Sequence, residues 1–70
     1  MFNERLKEIR KSTKKTQKEV SMYLGIAERA YQNYEYGNRE PNLDTLKKLA
    51  DYFNVSTDYL LGCSDKPTRY

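Results

Sequence analysis

Histidine and tryptophan are absent from the 70 residues, cysteine occurs once, proline twice and glycine three times, and no apolar run approaches the length of a membrane span. Without histidine, and with Cys63 as the one thiol, the chain lacks the usual zinc ligand sets and a partner for an internal disulfide. The same gap removes the commonest general acid–base side chain, and no glycine-rich phosphate cradle or paired nucleophile and base stands at a recognisable spacing. Only scattered carboxylates remain, so an enzyme is the weakest reading and no metal, cofactor or small-molecule ligand is implied. The start, Met1-Phe2-Asn3-Glu4-Arg5, is charged within four residues and precedes no apolar stretch of signal-peptide length. The expected address is the cytoplasm, with no membrane partner, and a lone thiol fits that reducing compartment.

Leu, Ile, Val and Phe account for 13 of 70 residues, below the roughly one-fifth at which disorder becomes a live alternative. Seven tyrosines add amphipathic core material, and 13 Lys and Arg against 10 Asp and Glu leave a charge of only +3, too little for self-repulsion to unfold the chain. One small, marginally stable domain is expected, unaided by metal or disulfide.

Apolar periodicity divides the chain into five short helices. Phe2, Leu6 and Ile9 stand at i, i+4 and i+7, with Asn3 as an early cap. Thr16 and Glu19 have the spacing of a capping box before a second helix from Gln17 to Leu24, which Gly25 stops. Ala27, Ala30, Tyr31 and Tyr34 give the third helix its inner face, and Gly37 closes it. Asn42 caps a fourth, with Leu43, Leu46, Leu49, Ala50 and Phe53 on one side and Asn54 as its stop. Ser56 caps a fifth carrying Tyr59, Leu60 and Leu61, which Gly62 ends. Residues 63–70 lack apolar periodicity and contain Pro67, so the domain is expected over residues 1–62, with 63–70 a flexible tail or the start of a linker.

The second and third helices are joined by a glycine-containing turn too short to reverse the chain, which is the pattern of a helix-turn-helix. The outward face of the third then reads Glu28, Arg29, Gln32, Asn33 and Tyr36, one continuous stripe. Arginine can fork onto guanine, Gln or Asn can pair with adenine, and Glu can accept from the cytosine amino group, so the stripe has the vocabulary of major-groove readout. A solvent-facing helix is commonly polar for no further reason. Charge placement favours the first reading: Arg10, Lys11, Lys14, Lys15 and Lys18 form a nine-residue stretch with no acid, at the entry to the second helix. Lys14, Lys15 and Lys18 are the expected phosphate contacts, joined by Gln17 through its amide and the helix N-terminus. Tyr36 either stacks near sugar and phosphate or packs half-buried; Met22 and Tyr23, off the core face, carry no assignment.

The segment Thr16-Gln17-Lys18-Glu19-Val20-Ser21-Met22-Tyr23-Leu24-Gly25-Ile26-Ala27-Glu28-Arg29-Ala30-Tyr31-Gln32-Asn33-Tyr34-Glu35-Tyr36-Gly37 resembles the phage-repressor and Cro-type (XRE-like) helix-turn-helix regulators. Arg39 to Ala50 and Val55 to Gly62 resemble the fourth and fifth helices of that family, so the likeness spans most of the chain. It implies an all-α, five-helix lambda-repressor-like DNA-binding domain. By the same resemblance Gln17 touches a phosphate, Glu28, Arg29, Gln32 and Asn33 face the bases, Arg39 meets the backbone, and Arg10 with Glu35 forms an internal ion pair. Two departures stand out: Ala27 replaces the usual Ser or Thr cap of the recognition helix, and Tyr31 replaces a branched aliphatic residue.

The function so implied is sequence-specific binding to a double-stranded DNA operator, as a transcriptional regulator and most simply a repressor. One helix in one groove buries too little surface for tight selective binding, so a homodimer on an inverted repeat is expected. By resemblance its interface uses the fifth helix and its flanks, with Tyr59, Leu60 and Cys63 as candidates. The alternative is a protein-binding adaptor or antitoxin-like module whose DNA affinity is incidental and tracks ionic strength alone.

Overall fold

The structure, a computed structural model, describes residues 2–68. Its elements are α1 (Phe2–Ser12), α2 (Gln17–Leu24), α3 (Glu28–Tyr36), α4 (Leu43–Phe53) and α5 (Thr57–Leu60), with no strand among the described residues. The all-α, five-helix expectation is met, and none of these helices is long and apolar enough to cross a membrane.

Local chemistry sets most of the boundaries. The Thr16 hydroxyl accepts from the Glu19 amide at 3.0 Å while the Thr16 amide donates to the Glu19 carboxylate at 2.9 Å, a complete capping box. The Asn42 side chain accepts from the Thr45 amide at 2.8 Å and the Ser56 hydroxyl from the Tyr59 amide at 3.0 Å. Asn54 takes the left-handed stop of α4 at φ 56°. Asn3 does not cap α1: Phe2 is already helical, and the Asn3 side chain lies instead beside Gly37. Between α2 and α3, Gly25 adopts φ 72°, and the Ile26 amide reaches back to the Ser21 carbonyl at 3.1 Å. That left-handed residue turns the chain within three residues and starts α3 across the end of α2.

The core is drawn from every helix: Leu6 and Ile9 of α1, Val20 and Leu24 of α2, Tyr31 of α3, Leu46, Leu49, Ala50 and Phe53 of α4, and Leu60 of α5, with Val55 between the last two. Each fully enclosed aliphatic side chain stabilises the fold by about 1.5–3 kcal/mol. α3 packs on α1 and α2, α4 on α2, and α5 on α4 and α1. Ser21 is buried as a small side chain should be at a close approach, its hydroxyl donating to the Lys18 carbonyl. Residues 63–68 run back over the domain. The Arg5 guanidinium donates to the carbonyls of Tyr59 (3.0 Å) and Ser64 (3.2 Å), approaches Asp65 at 3.6 Å and lies 4.2 Å from the centre of the Tyr59 ring. The Ser56 amide donates to the Pro67 carbonyl at 3.1 Å. Arg69 and Tyr70, the rest of the expected tail, lie outside the described residues.

Candidate nucleic-acid interface

The interior side of α3 is organised around one carboxylate. Glu35, its side chain 1% exposed, accepts from Arg10 Nε at 2.6 Å and Nη2 at 3.1 Å, from the Tyr31 hydroxyl at 2.5 Å and from Gln17 Nε2 at 3.2 Å. Burial alone would push the Glu35 carboxyl up, but the hydrogen bonds from Arg10, Tyr31 and Gln17 together outweigh it and hold the group below its ordinary value. The Arg10 guanidinium is shifted up in turn, first by its hydrogen bond to Glu35. Burial, then the Glu35 hydrogen bond, raises the Tyr31 phenol, which stays a neutral donor. Arg10 also donates from Nη1 to the Lys15 carbonyl at 3.0 Å, so one side chain ties α1, the basic loop and α3 together.

The opposite side of α3 is open. Glu28, Arg29 and Tyr36 are exposed and Asn33 is half-exposed, and among the described residues the side chains of Glu28, Arg29 and Asn33 have no hydrogen-bond or ionic partner. Gln32, half-exposed like Asn33, differs in having a partner: its Nε2 donates to Gln17 Oε1 at 3.2 Å. Ala27 has the extended backbone of a cap, φ −66° and ψ 147°, with no side-chain hydrogen bond, so the first turn of α3 lacks the polar closure that α2, α4 and α5 possess. It is exposed there rather than on the inner face its spacing implied.

The basic side chains lie at the entry to α2. Lys14, Lys15 and Lys18 are all exposed, Lys14 in the left-handed region at φ 59°. The Lys15 ammonium sits 5.8 Å from the centre of the Tyr52 ring. Gln17 directs its amide nitrogen at Glu35 and its oxygen at Gln32, so what it offers outward is mainly the backbone amide of the first helical residue. Arg39 is exposed in the loop after α3, its backbone amide bonded to the Asn33 carbonyl at 3.3 Å.

Two further apolar positions depart from the sequence expectations. Leu60 is 0% exposed and offers no side-chain surface to a second copy; it is core, enclosed between α4 and α1. Leu43, expected on the inner face of α4, is 78% exposed: at the first helical position it shares the side of Ala50 but lies beyond the end of the core that Leu46, Leu49, Ala50 and Phe53 enter. It lines an apolar groove with Phe2, Pro41, Leu46 and Leu61. Of the remaining interface candidates, Cys63 is exposed, whereas Tyr59 is half-buried with one ring face under Arg5. Tyr23 stacks on Tyr52 at 4.5 Å between ring centres, which accounts for an aromatic residue off the core face. Among the described residues no three His, Cys, Asp or Glu side chains converge on a metal site.

Comparison with known proteins agrees with this architecture. A family profile described as helix-turn-helix matches residues 6–60. The chain is 51% identical over 61 residues to the HTH-type transcriptional regulator ImmR of Bacillus subtilis, covering 87% of this chain and 48% of that protein. It is 48% identical over 61 residues to the SPbeta prophage-derived regulator YonR of the same organism, covering 87% and 56%. With the cryptic phage CTXphi transcriptional repressor RstR of Vibrio cholerae it shares 39% identity over 61 residues, covering 87% and 54%. The chain therefore spans about half the length of these relatives. A profile across nearly all of the helical core, on a fold with the matching helix pair, means that this chain belongs to the XRE-type helix-turn-helix family.

Proposed function

We propose that this chain is the DNA-binding part of a transcriptional regulator, a repressor, that lays α3 in the major groove of a double-stranded operator. The observation that carries the reading is the division of α3 into two sides. Tyr31 and Glu35 are buried in the domain, while exposed Glu28 and Arg29 and half-exposed Asn33 keep their base-matching groups uncommitted. Those three and Gln32 are the base-reading set. Lys14, Lys15, Lys18, Arg39, Tyr36 and the Gln17 amide are the phosphate-contacting set. The names of the relatives, regulators and a phage repressor, support the same role.

The operator is an inverted repeat bound by a homodimer, because one such module buries too little surface for selective binding. Cys63 and the exposed edge of Tyr59 remain in the proposed dimer surface, together with Leu61 and Leu43 on the adjoining apolar groove. Residues 1–62 are the binding unit, residues 63–70 a tail or linker, and the setting is the cytoplasm.

Selection of bound duplexes from a random pool tests this reading. The expected product is a twofold-symmetric site with half-sites about 10 bp apart, bound roughly a thousandfold or more above random duplex. Asn33→Ala then relaxes preference at one position by about 1–3 kcal/mol, whereas Lys15→Ala weakens every duplex alike and flattens the salt dependence. Equal loss on all sequences from Asn33→Ala refutes base reading.

A further inference from the structure

Gln17 and Gln32 stand in series behind Glu35. An ionised carboxylate only accepts, so Gln17, 3.2 Å away, must turn its amide nitrogen inward. Its oxygen is thereby left to face Gln32, whose nitrogen donates to it at 3.2 Å. A glutamine amide in solvent flips about its last torsion with little preference. Here a flip of Gln17 sets oxygen against carboxylate, and a flip of Gln32 sets oxygen against oxygen. The Glu35 carboxylate is itself held in place by the bidentate Arg10 and by Tyr31, so the orientation starts from a fixed point.

We propose that Gln17 is a positioning residue that sets the amide orientation of Gln32 and, through it, the base preference at one operator position. This rests on α3 being the groove helix. With one N–H spent on Gln17, Gln32 retains its carbonyl oxygen and its second N–H for the ligand. That pair matches a base that offers an exocyclic amino group in the major groove, adenine above all, where the amino group and N7 stand side by side. Guanine, which presents two acceptors on that edge, cannot use the oxygen.

The test measures binding of the whole chain to its selected duplex and to the three single-pair variants at the position read by Gln32, identified as the one whose preference disappears in Gln32→Ala. Gln17→Met keeps the side-chain length without the amide. It is expected to reduce the preference for adenine at that position by about fivefold or more, the size of one lost bidentate selection, while preferences at the other positions persist. Unfolding measured alongside separates this from a loss of fold, which moves all four duplexes together. Should Gln17→Met be too unstable, Gln32→Glu provides the second arm. Its carboxylate presents only acceptors and has no amide to orient, so the preference at that position becomes independent of Gln17: Gln17→Asn, one methylene too short to bridge Glu35 and residue 32, lowers the adenine preference of the parent but not that of Gln32→Glu, and an unchanged ratio in the parent overturns the inference. If Gln17→Met lowers affinity with the four-way ratio unchanged, Gln17 serves phosphate or fold alone and the inference is overturned. It is likewise overturned if Gln32→Ala alters no preference while Asn33→Ala does. If neither variant alters a preference anywhere, the groove reading itself has failed.

Discussion

Replacing Arg10 by methionine removes the charge from the Glu35 network while keeping most of the aliphatic stem. Glu35 is left as a carboxylate with a side chain 1% exposed and only the neutral donors Tyr31 and Gln17. Breaking a buried pair from one side costs about 3–5 kcal/mol. Because the Arg10 side chain is itself 12% exposed and water can approach from its end, the lower figure is expected. A domain of this size has roughly 4–10 kcal/mol of stability in total, and about 3 kcal/mol corresponds to a fall of roughly 12–24 °C in Tm. The pH dependence gives the sharper test. In the parent protein the Glu35 carboxyl lies below its ordinary value, so the stability it confers is present above the unfolded value of about 4.3 and is lost as pH falls through the lowered native one. In Arg10→Met burial dominates and the carboxyl is raised, so protonation favours the native state and the deficit against the parent shrinks between pH 7 and about 5. Urea unfolding followed by circular dichroism at both pH values measures this. A deficit under about 1 kcal/mol at pH 7, or one that stays constant on acidification, refutes the central role given to this carboxylate.

Three further outcomes follow from local geometry. Ala27→Ser supplies the missing cap to α3 on a backbone already extended for it and should add about 1 kcal/mol, read as a higher Tm; no gain would mean that the first turn is closed by other means. Lys14→Gly relieves a left-handed residue at φ 59° and should leave stability equal or raise it by up to about 1 kcal/mol, while weakening binding to all duplexes; loss of stability would show that the Lys14 side chain supports the fold. Leu43→Glu, at a position 78% exposed, should change stability by no more than about 0.5 kcal/mol yet reduce self-association on a two-half-site duplex in sedimentation; undiminished association removes Leu43 from the proposed dimer surface.

Much of the fold was legible because its punctuation is chemical and local. Thr16 with Glu19, Gly25, Asn42, Asn54 and Ser56 each act within four residues of their own position, and each ends or starts a helix as its chemistry dictates. Asn3 and Leu43 depart from the pattern for the complementary reason: spacing alone does not say where a helix begins relative to the core, and both lie in a first turn. The Arg10 and Glu35 pairing came from family likeness, not from spacing. The parts played by Tyr31, Gln17 and Arg5 were invisible, since they depend on α1, α2 and α3 converging on one carboxylate and on residues 59–65 passing over Arg5. A tyrosine in a place usually given to an aliphatic residue was the one available hint, because a buried phenol requires an acceptor.

Among the described residues the side chains of Glu28, Arg29 and Asn33 make no hydrogen bond or ion pair, whereas that of Gln32 is wired to α2. With α3 as the proposed groove helix, mutational drift at the first three positions would redirect the protein to a new target without disturbing its architecture, whereas change at the fourth drags a residue of another helix along with it. A lineage diversifying its targets should shuffle 28, 29 and 33 freely and exchange 17 and 32 as a couple.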